Sequence, residues 1–533
     1  MTLEAEVLVV GASASGVCAA VQAARMGRSV VLCEPTGWVG GMLTAAGVSA
    51  VDGNHNLPSG LWGEFRSALR REYGGADALA TGWVSHTLFD PRAGERILRR
   101  WITESPGITL YHGASCTRVI RERDRVVAAE FAGSDAPRPP EALGGARRLA
   151  PGETLTVRAP LTILADEFGD AVELAALPWR TGLEARAETD EPQAPETAYP
   201  HPQDLTWAAT VSAAPGFAAD REGPVFPPGD EYAGILGDPP IGWDRLLDYG
   251  RLPGNLMMLN WPTQDVHGDY LDPATRPAVL ASARAKTARL VDALRAAYGE
   301  DTIGLPDVYP GHLAAIPYVR EARRIHAVDT LTIGDLAEPA TSRSLRNSVA
   351  VGDYPVDHHR TMDADAPPID FPRVCAFGVP YGVMVPAECD GVLVAEKSIG
   401  VTGLVNGCTR LQPVVMQLGQ AAGAAAALCI EHGIEPRTLA VAELQEELLA
   451  ARVFLGPAMD APAADPGFAS LHRAIVAGDL GLAYLSEGWA NKAFVRPEAP
   501  LEPAEVATLA AAGRPARRGM TRREYATATY GAG

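Results

Sequence analysis

This chain is short of three things. Its seven cysteines are scattered, with no CxxC or CxxxxC pair. That argues against a dithiol redox centre, gives no spacing for a metal site, and fits free thiols in a reducing compartment. Positive charge is in deficit, 46 Lys and Arg against 65 Asp and Glu, for a net charge of −19. Nucleic acid and anionic membrane are therefore not expected partners. Long apolar runs are also missing: the longest, Ala421 to Ile430, is Ala-rich and too short to span a bilayer. The chain enters its first apolar strand within a few residues, with no signal-peptide pattern ahead of it. A soluble cytoplasmic protein is the expectation. What remains is ordinary for a globular chain: 533 residues, 47% hydrophobic and 21% charged, enough for two or three domains and a large core.

The most informative stretch is Glu6 to Glu34, EVLVVGASASGVCAAVQAARMGRSVVLCE. Val7 to Val10 is an apolar run ended by Gly11, the pattern of a strand buried on both faces. Val17, Ala20, Val21 and Ala24 then recur at helical spacing, Gly27 closes the helix, and Ser29 to Cys33 reads as a second strand. In GASASG, Gly11 and Gly16 hold the outer positions of the dinucleotide fingerprint, and Glu34 stands at the distance of a ribose-binding acid. Glycine permits the sharp turn, and the helix start offers free N–H groups to a pyrophosphate. The middle glycine of the fingerprint is replaced by Ser13.

Further along, Leu61 to Tyr73 and Arg92 to Trp101 read as amphipathic helices, the second opened by Asp90 and Pro91. Ser115 to Ile120 and Arg125 to Phe131 read as a hairpin, Asp135 to Gly152 as a surface loop, and Leu161 to Ala165 as a short buried strand. Pro192 to Gly254 shows little periodicity and is expected to be irregular. Ala274 to Tyr298 is helical, and Pro413 opens a helix through LGQAAGAAAAL. There Gly419 and Gly423 share one face and permit close approach of another backbone. The tail from Pro457 reads as a separate helical module with a faint resemblance to an S-layer-homology repeat, and packing or dimerisation is its expected role.

Several segments occur in family order: GASASG, CEPTGWVGGMLTAAGVSAVDGN, ADEFGDAVELAAL, PYVREARRI, NSVAVGDYPVDHH, VPYGVMVP and TRLQPVVMQLGQAAGAAAA. Together they resemble the broad FAD-dependent oxidoreductase family, with a glutathione-reductase-like FAD fold, related to the fumarate-reductase and thiazole-synthase flavoproteins. The Gly40–Gly41 pair looks like the element that lines FAD in such enzymes, which favours FAD over NAD. The resemblance implies an α/β fold with a Rossmann-like FAD-binding domain on a central parallel sheet, an inserted mixed α+β substrate domain and a small C-terminal helical region. The implied division is 1–180 and 386–435 for the FAD domain, 181–385 for the substrate domain and 436–533 for the C-terminal module. It also implies FAD contacts from Gly11, Ser13, Ala14, Ser15, Gly16, Glu34, Pro35, Gly41 and Met42, from Cys116 and Ala165, and from Thr409 and the Pro413 helix start at the flavin. The chain departs from the family at Ser13, at Gly403 where relatives carry histidine, and at ADEFGD, which is more acidic than usual.

A bound flavin carries out the redox chemistry, so the protein must supply a proton acceptor and charge stabilisation. His359 is the first choice for proton transfer, because imidazole titrates near neutrality. Arg410, beside the flavin helix, and Arg324, in the Arg320, Arg323, Arg324 cluster, are candidate anion-binding groups. The expected function is a dehydrogenase or oxidase transferring a hydride from a small polar or natural-product-like substrate to FAD. The alternatives are a flavin-dependent reductase of an activated double bond and a non-catalytic binding or assembly subunit. Partners are a small molecule and, as an open question, a second copy of the chain.

Overall fold

The computed structural model describes residues 1–135, 146–214, 217, 223–309, 311–339, 342 and 344–531. Its centre is a six-stranded, wholly parallel sheet: β1 (Val7–Val10), β2 (Val30–Glu34), β3 (Ile108–His112), β4 (Ala146–Arg148), β5 (Leu161–Leu164) and β6 (Val392–Val394), in the order β6-β5-β1-β2-β3-β4. β1, β2, β5 and β6 are buried along their whole length, as strands dominated by Val, Leu and Ile on both faces are, with Glu34 and Thr162 the polar exceptions. β6 follows β5 by more than two hundred residues of chain, yet pairs directly with it.

Helix α1 (Ala14–Arg25) crosses from β1 to β2, and helix α2 (Gln412–His432) lies against it. A Cβ on Gly419 would sit 2.0 Å from the Ser15 carbonyl oxygen, and one on Gly423 would sit 2.3 Å from that of Ala19. The small-residue face of α2 therefore fixes a helix crossing that no larger side chain would allow. By length and apolar character α2 could cross a bilayer, but it is buried inside the protein, as a core helix is.

A second sheet lies beside the first: Thr2–Glu4, Thr154–Arg158, Arg125–Gly133 and Ala114–Glu122, the last two forming the expected hairpin. A core of Leu8, Val10, Tyr111, Phe131 and Val157 fills the space between the two sheets. The expected 135–152 loop differs from the structure: residues 136–145 lie outside the described residues, and 146–148 form edge strand β4. The stretch 192–254 is also more regular than expected. Ala209–Ala213 is a central strand of a four-stranded antiparallel sheet with Leu256–Leu259, Arg251–Leu252 and Ile303–Gly304. Helix Arg276–Tyr298 covers that sheet through Ala283, Leu290, Val291 and Leu294. Its strands are two to five residues long, too short for alternation to show. In the C-terminal region, helices Phe468–Val476, Pro503–Ala511 and Arg522–Tyr530 are joined by a strand pair, Ala483–Leu485 with Lys492–Phe494, around Leu471, Ile475 and Tyr525.

Candidate active site and cofactor cradle

The turn after β1 is held by its glycines. Gly11 has φ +94°, and a Cβ there would meet Asp166 Cα at 2.7 Å, while one on Gly16 would lie 1.9 Å from the Gly11 carbonyl oxygen. Ser13 caps α1, its Oγ accepting from Gly16 N at 3.1 Å, which satisfies one of the free amides of the helix start. Ala14 is fully buried in the core, and Ala165 donates its N–H to Val10 O at 2.8 Å and so seats the turn after β5. Glu34 ends β2 with its carboxylate turned back on the fold. Oε2 accepts from Ala12 N at 2.8 Å, and Oε1 accepts from Thr36 N at 2.9 Å and Thr36 Oγ1 at 2.7 Å. Burial raises its pKa, against the pull of those donors. Pro35, next along, is exposed. Cys116 lies on the second sheet, with its thiol pushed up to about 12, chiefly by burial.

The mouth of this cradle holds a buried ion cluster. Glu396 Oε2 accepts from Ser15 N and from Ser13 Oγ, each at 3.1 Å, and Oε1 accepts from Lys397 Nζ at 2.9 Å. Lys397 also donates to Glu167 Oε2, and Glu167 Oε1 accepts from Met42 N at 2.9 Å. A Cβ on Gly41 would lie 3.0 Å from Ser13 Cα and 1.8 Å from Glu167 Oε1, so the Gly41 backbone packs directly against the turn at Ser13 and against the Glu167 carboxylate. Although burial opposes its charge, the two carboxylates hold Lys397 above the usual ammonium range, and burial pushes Glu167 up. Glu396 has φ +60°, a backbone conformation that costs a residue other than glycine about 1–2 kcal/mol. The glycine turn and the start of α1 suit the phosphates of a dinucleotide such as FAD, and both oxygens of Glu34 are engaged by Ala12 and Thr36. The amides that would meet the FAD pyrophosphate are engaged by Glu167 and Glu396.

Toward the other end of the 42–53 segment, walled by Val48, Val51, Asp52 and Gly53, lies a cavity of about 760 Å³. Its aromatic wall includes Trp62, Trp83, Tyr249 and Trp261, and Trp489 brings the C-terminal region to the rim. Its polar wall includes Asp52, Arg320, Asp357, His359 and Arg410. His359 Nδ1 lies 2.5 Å from Asp265 Oδ2, and Nε2 lies 3.6 Å from Asp357 Oδ1. Asp265 is fully buried, accepts from Thr206 Oγ1 and is ion-paired with Arg320 Nη1 at 3.2 Å. Burial works to raise its pKa, but Arg320 and His359 hold it below the usual value. An anionic Asp265 thus fixes the Nδ1–H tautomer of His359 and turns Nε2 toward the cavity side. Asp52 is pushed up to about 7, first by burial and then by Asp357.

Arg410 ends the short helix Gly403–Thr409, just ahead of α2. It donates to Tyr318 Oη at 2.7 Å and Asp357 Oδ2 at 2.7 Å. Burial opposes its charge, and Tyr318 and Asp357 hold it above the usual range. Its Nε and Asn260 Oδ1 are buried without a partner, and both residues line the cavity. Thr409 Oγ1 is bonded to Val405 O, Pro413 opens α2, and Gln412 bridges from α2 to Ala50 O and Asp52 N.

The structure thus brings His359 and Arg410 to one cavity. Arg324 does not line it: it is fully buried, donating to Glu184, Gly182 O, Val401 O and Glu321. Arg323 is likewise tied to Asp170 and Glu173, so this pair clamps the 320–325 segment to the turns after β5 and β6. Asp265, Asp52 and the Glu167–Lys397–Glu396 cluster were not singled out by sequence. Asp265 lies 94 residues from His359 with no motif around it. The cluster had one visible signal, charged residues directly after apolar strands in LADEFGD and VLVAEKS.

Several solved structures are similar over most of the chain. A geranylgeranyl bacteriochlorophyll reductase-like protein from Thermoplasma acidophilum shares 12% identity over 85% of both chains, with a TM-score of 0.34. p-Nitrophenol 4-monooxygenase PnpA from Pseudomonas putida DLL-E4 shares 13% over 85% of both, with a TM-score of 0.34. Flavin-dependent brominase Bmp2 shares 11% over 89% of both, with a TM-score of 0.37. No curated protein matches the sequence. The sequence profile of the FAD dependent oxidoreductase family matches residues 6–448, more than four-fifths of the chain, so the protein belongs to that family and is an FAD-dependent oxidoreductase.

Proposed function

We propose that the chain is a dehydrogenase or oxidase that transfers a hydride from a small polar or natural-product-like substrate to FAD, in the cavity walled by His359 and Arg410. The observation that carries this reading is the Asp265–His359 pair opening on the same cavity as Arg410. FAD, when bound, supplies the two-electron acceptor. On this reading Gly11, Ser13, Ala14, Ser15, Gly16, Glu34, Pro35, Gly41, Met42, Cys116 and Ala165 hold its ADP half, and Thr409 and the Pro413 helix start lie by the ring. His359 Nε2 takes the substrate proton, and buried Asp265 stabilises the imidazolium that forms. Arg410 and Arg320 orient an oxygen or carboxylate of the substrate. Trp83, Trp261 and Tyr249 pack edge to face at 4.9–6.0 Å and present a wall suited to a ring.

The segments before residue 180 and after residue 386 share one sheet through β5 and β6, which supports a discontinuous FAD domain around an insert. Seven unpaired cysteines support a reducing, cytoplasmic setting. The test is the visible spectrum of the purified protein before and after acid precipitation, followed by anaerobic addition of candidate substrates. A flavin spectrum bleached by a small polar compound supports the reading. A flavin that no such compound bleaches, and that reoxidises on reducing an activated double bond, contradicts it.

A further inference from the structure

Two carboxylates and one ammonium meet at the start of α1, all brought there by turns that follow sheet strands. Glu167 comes from the turn after β5, and Glu396 and Lys397 from the turn after β6. Each carboxylate is bidentate in the same sense. One oxygen sits on backbone amides of the cradle: Ser15 N for Glu396 and Met42 N for Glu167. The other sits on Lys397 Nζ. Two anions bridged by one cation, on neighbouring amides, reproduce the charge and the acceptor pattern of a diphosphate. Ser13 Oγ, which would face that diphosphate, is also drawn to Glu396. Glu396 keeps these contacts in the left-handed region, at φ +60°, where glycine would be relaxed.

We infer that Glu167 and Glu396 are an internal stand-in for the FAD pyrophosphate, an autoinhibitory contact that closes the cradle until the cofactor displaces it. On displacement Lys397 passes from the carboxylates to the phosphates, so no buried cation is left unpaired. The inference rests on the reading that FAD docks at this cradle.

Titration of the FAD-free full-length chain with FAD, read by quenching of flavin fluorescence, tests it. Glu396→Gly and Glu167→Gln/Glu396→Gln bind FAD at least about tenfold more tightly than the unmodified chain. Glu396→Gln alone, which keeps shape and a carbonyl acceptor, shows the same direction and covers failure of the glycine variant to fold. Equal affinity in the unmodified chain and the variants overturns the stand-in while leaving the FAD site intact. Failure of every protein to take up FAD, with native melting behaviour, overturns both.

Discussion

Two charge clusters meet the two ends of the 42–53 segment, one at Met42 and the other at Asp52, and they differ in how far their own residues satisfy them. At the cradle, Glu167, Lys397 and Glu396 satisfy one another and the neighbouring amides. At the cavity, Asp265, His359, Asp357 and Arg410 are also linked, but Arg410 Nε and Asn260 Oδ1 are left without partners. A buried polar group without a partner carries a desolvation cost of about 1–3 kcal/mol. On the proposed reading, a substrate that accepts from Arg410 Nε and donates to Asn260 Oδ1 offsets that cost. The charged atoms of the cradle cluster thus all have partners within the protein, although Ser398 Oγ beside them has none, whereas the cavity presents unpartnered polar atoms on its wall.

The sharpest way to break this comparison is to remove the one cation of the closed cluster. Lys397→Met leaves two buried carboxylates facing each other, and we expect a loss of about 3–5 kcal/mol in denaturant unfolding. A loss under about 1 kcal/mol would mean that the carboxylates do not share Lys397. At the open cluster the expected effect is on rate, not folding. His359→Asn lowers kcat by about a hundredfold or more at unchanged FAD content and unchanged Tm. A Tm that falls as far as the activity would make His359 a structural residue.

Titration sharpens the contrast further. Asp52 is raised to about 7 in the folded state, above its value in the unfolded chain. Its contribution to stability is thus present at low pH and lost as pH rises toward 7, by up to about 1.4 kcal/mol per pH unit. Asp52→Asn removes that slope, so the variant gains on the parent between pH 4 and 7 in parallel unfolding titrations. The smallest effect is at the cap of α1: Ser13→Gly costs only a few tenths of a kcal/mol, because glycine is itself tolerated at that position.

The frame of the molecule was legible because its signals are local. The Val7–Val10 run, the Gly11 and Gly16 turn and the small-residue face around Gly419 each state their role within a few residues. His359 and Arg410 were legible as candidates, because their types suit the chemistry. Their meeting was not, since Asp265 and Tyr318 join them only through tertiary packing of segments far apart in sequence. The same limit hid the purpose of REARRI. Nothing in its sequence separates an anion-binding face from the clamp that Arg323 and Arg324 form with Asp170, Glu173 and Glu184. The short strands 209–213 and 303–304 were invisible because two to five residues cannot show a period.

The most direct test of the account is the visible spectrum of the FAD-loaded protein with and without substitutions in the open cluster. If His359 and Arg410 wall the space next to the flavin, His359→Asn and Arg410→Lys each shift the flavin bands at an unchanged ratio of FAD to protein. Spectra that coincide with the parent in both variants would place the cavity away from the cofactor and contradict the assignment.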